Sequence, residues 1–234
     1  MKIDNKDLLN SILQNLSSLK MPHSDDLPNI DLYMDQVTTY MERYLSVSKR
    51  YDEDKILTKT MINNYAKNNL LPPPEKKKYT KEHILTLIYI YYFKNLLSIS
   101  DIQAILNPLT QRYFSNTATF SFEEIYDEVL KMTCNELEEL KEDVIRKYAI
   151  SNTSFPDAKK NEESFLHNFS MICMLSMDIY VKKQIVEQMI DAMVAADTPP
   201  VKKPVPKDAK KEVKKDVKKK QKKRKKNKKK KCTA

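Results

Sequence analysis

The chain has 234 residues, enough for one compact domain or two small ones. It carries 42 Lys and Arg, 32 Asp and Glu, three Cys and no glycine. The absence of glycine excludes glycine-rich phosphate loops and the dinucleotide-binding fingerprint. It also leaves turns with positive φ to Asn or Asp, the residues that tolerate this conformation best after glycine.

The positive charge is concentrated at one end of the chain. Residues 201–234 contain 19 Lys or Arg and three acids, a net charge of +16, which leaves residues 1–200 with 23 basic and 29 acidic groups and a net charge of −6. Residues 197–234 lack apolar periodicity, so we predict a disordered tail. Through Lys202–Lys231 it should bind polyanions such as DNA, RNA or an anionic membrane surface. A merely solubilising tail is the alternative.

The sequence favours a cytoplasmic protein. The N-terminal stretch MKIDNKDLLNSILQNL has early acids and no long apolar run, unlike a signal peptide. The longest apolar stretch, HILTLIYIYYFKNLLSI, has 17 residues and is interrupted by Lys94, which favours a buried helix over a membrane span. Three scattered cysteines do not indicate a disulfide framework. We therefore expect no transmembrane segment.

The sequence does not indicate an enzyme. The three His and three Cys lack the spacing of metal ligands. No motif places a nucleophile beside a general base. We therefore expect no catalytic site, no metal and no cofactor.

Helical patterns account for the first part of the chain. Apolar residues recur at helical spacing within residues 4–19 and again within 33–45. A third helix is predicted over 58–68, with Thr58 as its N-cap. Its inner face carries Leu57, Met61, Ile62 and Tyr65. Its outer face carries Lys59, Thr60, Asn63, Asn64 and Lys67.

The segment NNLLPPPEKKKYT connects this helix to the next. Asn68 and Asn69 end the helix, since Asn is the best left-handed C-cap in a chain without glycine. The prolines at 72–74 favour an extended, polyproline-like path. Lys76, Lys77 and Lys78 follow. We see no convincing strand and expect at most a two-residue ladder near residues 72–79.

The helix predicted over 81–97 is apolar almost all round, so it should be central to the core. Ser100 and Gln103 form a predicted capping box that opens a short helix through Leu106. Asn107–Pro108 should end that helix.

Three further helices are predicted after this point. Ser121 and Glu124 form a second capping box, which opens a helix to about Met132. Another helix covers 135–150. A long last helix covers 162–195, after a loop.

The last helix has an apolar line in which spacings of four and three residues alternate, as in a coiled coil. The line consists of Phe165, Phe169, Ile172, Ser176, Ile179, Lys183, Val186, Ile190 and Met193. The first half of the helix is apolar all round, so we expect it to pack inside a helical bundle, while the second half could reach a partner subunit. Core packing and dimerisation explain the line equally well.

The outer face of the 58–68 helix suits a nucleic-acid duplex. Asn can pair bidentately with adenine in the major groove, and Lys and Thr suit phosphates. The lysines after the prolines could reach an adjacent backbone or minor groove. A solvated polar face explains the same spacing equally well. The candidate DNA-binding residues are Lys59, Thr60, Asn63, Asn64, Lys67, Lys76, Lys77 and Lys78.

The segment LTKTMINNYAKNNLLPPPEKKKYTKEHILTLIYIYYFKNLLSISDIQAIL, 57–106, resembles the DNA-binding half of a MerR-type regulator. In that family the recognition helix ends in a tyrosine-containing turn, and a GLLPPPRR segment and a basic wing follow. Tyr65 lies at the place of the family's tyrosine, and Asn69 at that of its glycine. Leu70–Pro74 matches the connector, and Lys77–Lys78 matches the wing cations.

Residues 32–110 are still more similar to the YkrK-like family of low-GC Gram-positive bacteria, which is catalogued as a domain of unknown function. The segments DKILTKTMINNYAKNNLLPPPEKKKYT and IYYFKNLLSISDIQAILNPL carry this resemblance. It implies a winged helix-turn-helix and a regulatory role.

We therefore predict an all-α protein in four parts. These are an N-terminal helix and linker (1–31), a MerR-like winged helix-turn-helix (32–110), a C-terminal helical bundle (111–196) and the disordered basic tail (197–234). The expected function is sequence-specific binding of double-stranded DNA by a homodimeric transcriptional regulator, more readily a repressor. The alternative is a protein-interaction module that its tail holds to an anionic membrane or the ribosome.

Overall fold

The structure is a computed structural model that describes residues 5–18, 21–114 and 119–197. These residues are mostly helical, in agreement with the all-α prediction. The helices are α1 (Asn5–Ser18), α2 (Met34–Leu45), α3 (Lys59–Lys67), α4 (Lys81–Phe93), α5 (Ile99–Tyr113), α6 (Phe122–Asn152) and α7 (Glu163–Asp197). Two strands, β1 (Leu32–Tyr33) and β2 (Lys78–Tyr79), form an antiparallel ladder.

The chain divides into two compact units, Met1–Met193 and Val194–Ala234. Of the second unit the structure describes only residues 194–197, which end α7. The rest of the predicted basic tail lies outside the described residues.

Helix α4 occupies the centre of the core, as predicted. Every residue from His83 to Tyr91 is buried. The surrounding apolar cluster draws residues from α2, α3, α5 and α6. Since α4 is apolar all round, its neighbours must cover it on every side, and they do so with their own apolar stripes. Across the described ranges, no helix combines the length and the apolar character that crossing a bilayer requires.

Two predicted caps are confirmed. The Thr58 hydroxyl accepts a hydrogen bond from the Met61 N–H at 3.2 Å and starts α3. The Ser121 hydroxyl accepts from the Glu124 N–H at 3.1 Å, and the Glu124 carboxylate accepts from the Ser121 N–H at 2.7 Å. These bonds satisfy N–H groups that a helix start leaves without an intrahelical partner.

The start of α5 differs from the prediction. Its N-cap is Ser98 rather than Ser100, because Asp101 completes a capping box three residues after Ser98. The Ser98 hydroxyl accepts from the Asp101 N–H at 3.2 Å. Gln103, the predicted partner of Ser100, instead donates from its amide to the carbonyl of Asn68 and so ties α5 to the end of α3.

The predicted end of α5 at Asn107–Pro108 is wrong, because the helix continues to Tyr113. Leu106 and Thr110 are buried in the core on either side of the proline. The Thr110 hydroxyl donates to the Leu106 carbonyl at 2.9 Å. Tertiary burial beyond the proline therefore outweighs the hydrogen bond that the proline removes.

Helix α6 is a single helix where two are predicted, with a break between Met132 and residue 135. No proline occurs between residues 122 and 152, so nothing stops helix propagation once the Ser121 cap has started it. The Thr133 hydroxyl at the expected break donates to the Val129 carbonyl at 2.9 Å.

The segment that precedes α2 is fastened to α6. The Tyr126 hydroxyl donates to the Pro22 carbonyl at 2.8 Å, and the Asp127 carboxylate accepts from the Ser24 N–H at 3.0 Å and also from the Ser24 hydroxyl. We call these contacts the Pro22–Asp127 clamp. Burial raises the pKa of Tyr126, so its hydroxyl stays protonated and able to donate.

Helices α6 and α7 form a hairpin. A ring nitrogen of His167, Nε2, lies 3.0 Å from the Ser154 carbonyl oxygen at the connection. Further along, the Lys147 ammonium forms ion pairs with Asp143 on its own helix and with Asp178 on α7. These contacts fix which side of α7 faces α6.

The predicted extent of α7 is confirmed, but the predicted burial of its first half is wrong. His167 and Met171, on the side toward α6, are buried. Phe165 and Ile172 are 70% and 60% exposed. An all-apolar pattern indicates that a helix is covered by neighbouring groups, but it does not show whether those groups belong to the same chain. The exposure of α7 could therefore not be predicted from its own sequence.

His83 is a buried imidazole on α4. Its Nδ1 accepts from the Thr80 N–H at 3.0 Å, so in the neutral ring Nε2 carries the proton, and Nε2 has no hydrogen-bond partner. The edges of Tyr79 and Phe114 pack around it. Burial lowers the pKa of His83, and the carboxylate of Glu82 and nearby backbone carbonyls only partly oppose that shift.

The buried His83 should make stability depend on pH. Because its pKa is lower in the folded than in the unfolded state, the unfolded chain binds a proton first as the pH falls below about 6.5. This linkage removes at most about 1.4 kcal/mol of stability per pH unit, until the folded pKa is reached. His83→Gln keeps an acceptor for the Thr80 N–H without the titration, so it should lose less stability between pH 7.5 and 5.5. Urea unfolding at both pH values measures this, and equal losses in the two proteins would contradict it.

Candidate nucleic-acid interface

The predicted outer face of α3 lies on the surface. Lys59, Thr60, Asn63, Asn64 and Lys67 are all exposed. On the opposite side of the helix Ile62 is fully buried, and Met61 and Tyr65 pack against the core. The short helix therefore presents two ammonium groups, one hydroxyl and two amides to solvent from a fixed backbone.

The C-terminus of α3 is closed by a Schellman motif. Asn69 adopts φ of 55°, as expected of a left-handed C-cap. The Leu70 N–H donates to the Tyr65 carbonyl at 2.9 Å, and the Asn69 N–H donates to the Ala66 carbonyl at 3.3 Å. Leu70 and Leu71 are buried immediately afterwards, so the chain is anchored before the prolines lead it to the surface.

The lysines after the prolines form a tight turn. The Lys78 N–H donates to the Glu75 carbonyl at 2.8 Å. Lys76 and Lys77, the two central residues, have φ of 48° and 64°, which defines a type I′ turn. Both side chains are exposed. The expected two-residue ladder is present, but its partner strand, residues 32–33, was not foreseen.

The assignment of positive φ to Asn or Asp is therefore wrong at this turn, and also at Phe155. A non-glycine residue in the left-handed region costs about 1–2 kcal/mol. The ladder imposes this geometry, because Leu32 and Tyr79 pair across it and are both buried. We call residues Glu75–Lys78 the lysine turn.

The start of α2 brings the α3 face and the lysine turn together. The Lys59 ammonium forms an ion pair with Asp35, in the first turn of α2. The Lys78 ammonium lies 5.8 Å from the ring centroid of Tyr33, at the N-cap of the same helix. Both predicted groups thus contact one short segment, although they are separated by the proline connector in sequence.

Tyr33 and Asp35 were missed by the sequence analysis. Their signal was a capping pattern: the Tyr33 N–H donates to the Gln36 side chain at 2.8 Å. Both ends of the Lys59–Asp35 pair are largely exposed, so the pair adds little stability. It does place one carboxylate beside the proposed DNA-contacting face.

The site contains no arrangement suited to metal chemistry. In the described part of the chain, no three His, Cys, Asp or Glu side chains form a group that could hold a metal ion. The exposed side chains of the predicted set are amides, a hydroxyl and ammonium groups, which can donate to anionic oxygens and base edges.

Residues 22–129 thus include helices α2 to α5, the two-stranded ladder and the polar, cationic face. They match the family model described as "Domain of unknown function (DUF1836)", so the chain contains a DUF1836 domain over those residues. No curated protein and no solved structure matches this chain.

The limits of this match agree with the contacts. The match begins at the residue whose carbonyl accepts from Tyr126 and ends two residues after Asp127. The residues of the Pro22–Asp127 clamp thus all lie within the match, and α6 enters the matched region with its first two turns. Phe122 and Tyr126 from those turns are nearly fully buried in the core.

Strain in the lysine turn should come from the Cβ atom of a residue with positive φ and not from the positive charge of its ammonium group. Lys77→Gly and Lys77→Ala both remove the ammonium group, but only Gly relieves the positive φ. After allowance for the greater freedom of Gly in the unfolded chain, Lys77→Gly should be more stable than Lys77→Ala by about 0.5–1 kcal/mol. Urea unfolding followed by circular dichroism provides the comparison. Equal stabilities would show that the turn relaxes in solution.

Proposed function

We propose that this protein is a sequence-specific DNA-binding transcriptional regulator, most simply a repressor. The observation that carries the proposal is the meeting of the exposed α3 face and the lysine turn at the start of α2. In this proposal β1, α2, α3, the lysine turn and α4 form a winged helix-turn-helix, with α3 as the recognition helix and the lysine turn as the wing.

The side chains divide between reading and positioning. Asn63 and Asn64 lie in the middle of α3, where amides can pair bidentately with adenine in the major groove. Lys59, Thr60 and Lys67 suit phosphate contacts along the groove edges. In the free protein Lys59 pairs with Asp35, so that carboxylate would compete with a phosphate for the ammonium group.

The lysine turn suits the neighbouring phosphate backbone or minor groove. Lys76 and Lys77 are exposed at its tip, whereas Lys78 is half-buried against Tyr33. Two lysines in a conformation that disfavours them support a functional role, since Asn or Gly would form the same turn at lower cost.

The tail supplies attraction without selectivity. Residues 1–200 carry −6 and are repelled by DNA at long range, whereas residues 201–234 carry +16. The tail therefore raises encounter rate and general affinity, and the α3 face selects the site. A dimer would read two half-sites about 34–36 Å apart.

The second candidate is a protein-interaction module. The apolar exposure of α7 favours it, because a surface of that kind is typical of protein contacts. The two candidates differ in where sequence preference resides. The first requires it within residues 57–79, and the second predicts only salt-sensitive binding that ignores sequence.

A test of base reading uses Asn63→Ala. We expect residues 1–200 to select a specific duplex from a random pool, and Asn63→Ala to lose about 1–3 kcal/mol of binding to it if the amide pairs with a base. Asn95→Ala, which removes an exposed amide beyond the end of α4, is the matched control and should bind normally. The proposal fails if residues 1–200 show no sequence preference.

The tail should govern the salt dependence of DNA binding but not the choice of DNA sequence. Deleting residues 201–234 should lower affinity for a selected and a scrambled duplex by a similar factor. It should also flatten the salt dependence, because each lost phosphate contact removes about 0.9 from the log–log slope. Salt titrations of both proteins on both duplexes measure this. An unchanged slope would reject this division of roles. So would a deletion that removes only the preference for the selected duplex.

A further inference from the structure

Helix α7 carries an apolar stripe that nothing in the described chain covers. Phe165, Phe169, Ile172, Ile179 and Tyr180 are between 53% and 70% exposed. We call these five residues the α7 stripe. Phe165, Phe169 and Ile172 follow one another at spacings of four and three, and Ile179 and Tyr180 continue the same side two turns further on. This side faces away from His167 and Met171, which pack toward α6. The rings of Phe165 and Phe169 stack on each other in solvent.

The stripe lies in the half of the apolar line before Lys183; beyond it Val186 and Met193 are also exposed. Ile190, further along that line, is 4% exposed and so is already covered within the chain. From Phe165 to Met177 the helix contains no charged residue. Asp178, which follows, points toward α6 and pairs with Lys147. No charge therefore opposes close approach of another surface to the stripe.

We propose that the α7 stripe binds the same stripe of a second copy of this chain in an antiparallel pair. This inference deepens the dimeric part of the proposed function by naming the surface that forms the dimer. Alternating spacings of four and three allow two such helices to interlock side chains along a continuous seam.

The available area is sufficient. A large apolar residue has an accessible area of about 200 Å², so five that are exposed to roughly three fifths leave about 600 Å² per chain. Two copies would bury about 1,200 Å² from the stripes alone, the lower end of a stable protein interface. That area matches the largest apolar patches of soluble monomers, which are themselves often binding sites.

Charge selects the antiparallel direction. Lys183 continues the line of the stripe, so a parallel pair would place two Lys183 side chains against each other. An antiparallel pair with its two-fold axis near Met174 moves the two lysines to opposite ends, where each lies opposite the partner's Phe165 and within about one turn of the partner's Glu162. It also sets Ile172 opposite the small Ser176, and Phe169 opposite Ile179.

The test of the surface is sedimentation velocity of the full chain without DNA, at about 0.5 M salt to screen the tail. The wild type should be a dimer at tens of micromolar. Ile172→Glu, in the stripe, should raise the dissociation constant at least about tenfold, because the dimer would bury an unpaired charge. Met177→Glu, at a similarly exposed position outside the stripe, should associate as the wild type does.

A monomeric wild type would overturn the proposal, as would equal weakening by Ile172→Glu and Met177→Glu. Circular dichroism of both variants separates loss of association from loss of folding. Because the assay contains no DNA, its failure leaves DNA binding by α3 standing, and failure of DNA binding leaves this interface standing.

Cysteine crosslinking tests the direction. Cys173 is exposed and lies near the proposed axis, so it should form a disulfide-linked dimer on mild oxidation when Cys134 and Cys232 are replaced by Ser. Ile179→Cys in a chain without Cys173 should not, since the two copies of residue 179 would be about 15 Å apart along the helices. A dimer linked through Ile179→Cys, or none through Cys173, would overturn the antiparallel arrangement.

Discussion

Burial of α4 is the constraint on which the rest of the domain depends. For more than two turns, from His83 to Tyr91, every side chain of this helix is inside. A helix with no polar side must be covered from all directions, and α2, α3, α5 and α6 each contribute an apolar stripe for that purpose. The polar face of α3 is exposed as a result, because Ile62 and its neighbours are required at α4.

The absence of glycine shapes the loops in a different way. Where one left-handed residue suffices, at the end of α3, Asn69 provides it. At the lysine turn two are required in succession, and the chain places two lysines there. The ladder from Leu32 to Tyr79 holds the turn against this cost. Two successive residues with left-handed backbone therefore carry exposed cations.

Local signals in the sequence were sufficient for much of this architecture. Thr58, Asn69 and Ser121 each act through neighbours within a few residues, so their roles could be read directly. The central position of α4 followed from its lack of any polar side. The same local reasoning failed at Pro108, where burial of Thr110 in the core outweighs the preference of the proline. It also missed Tyr33 and Asp35, because their contacts to Lys78 and Lys59 join segments far apart in sequence. Whether the stripe on α7 is covered depends on residues outside the helix, and no pattern within the helix contains that information.

The Pro22–Asp127 clamp has a mechanical consequence. It brings the two ends of the matched domain, residues 22 and 129, to neighbouring points on α6. Pulling the segment before α2 away from α6 would load the three hydrogen bonds of the clamp. Because α6 also contributes Phe122, Tyr126 and Leu130 to the core around α4, the clamp joins the chain entering the domain directly to that core.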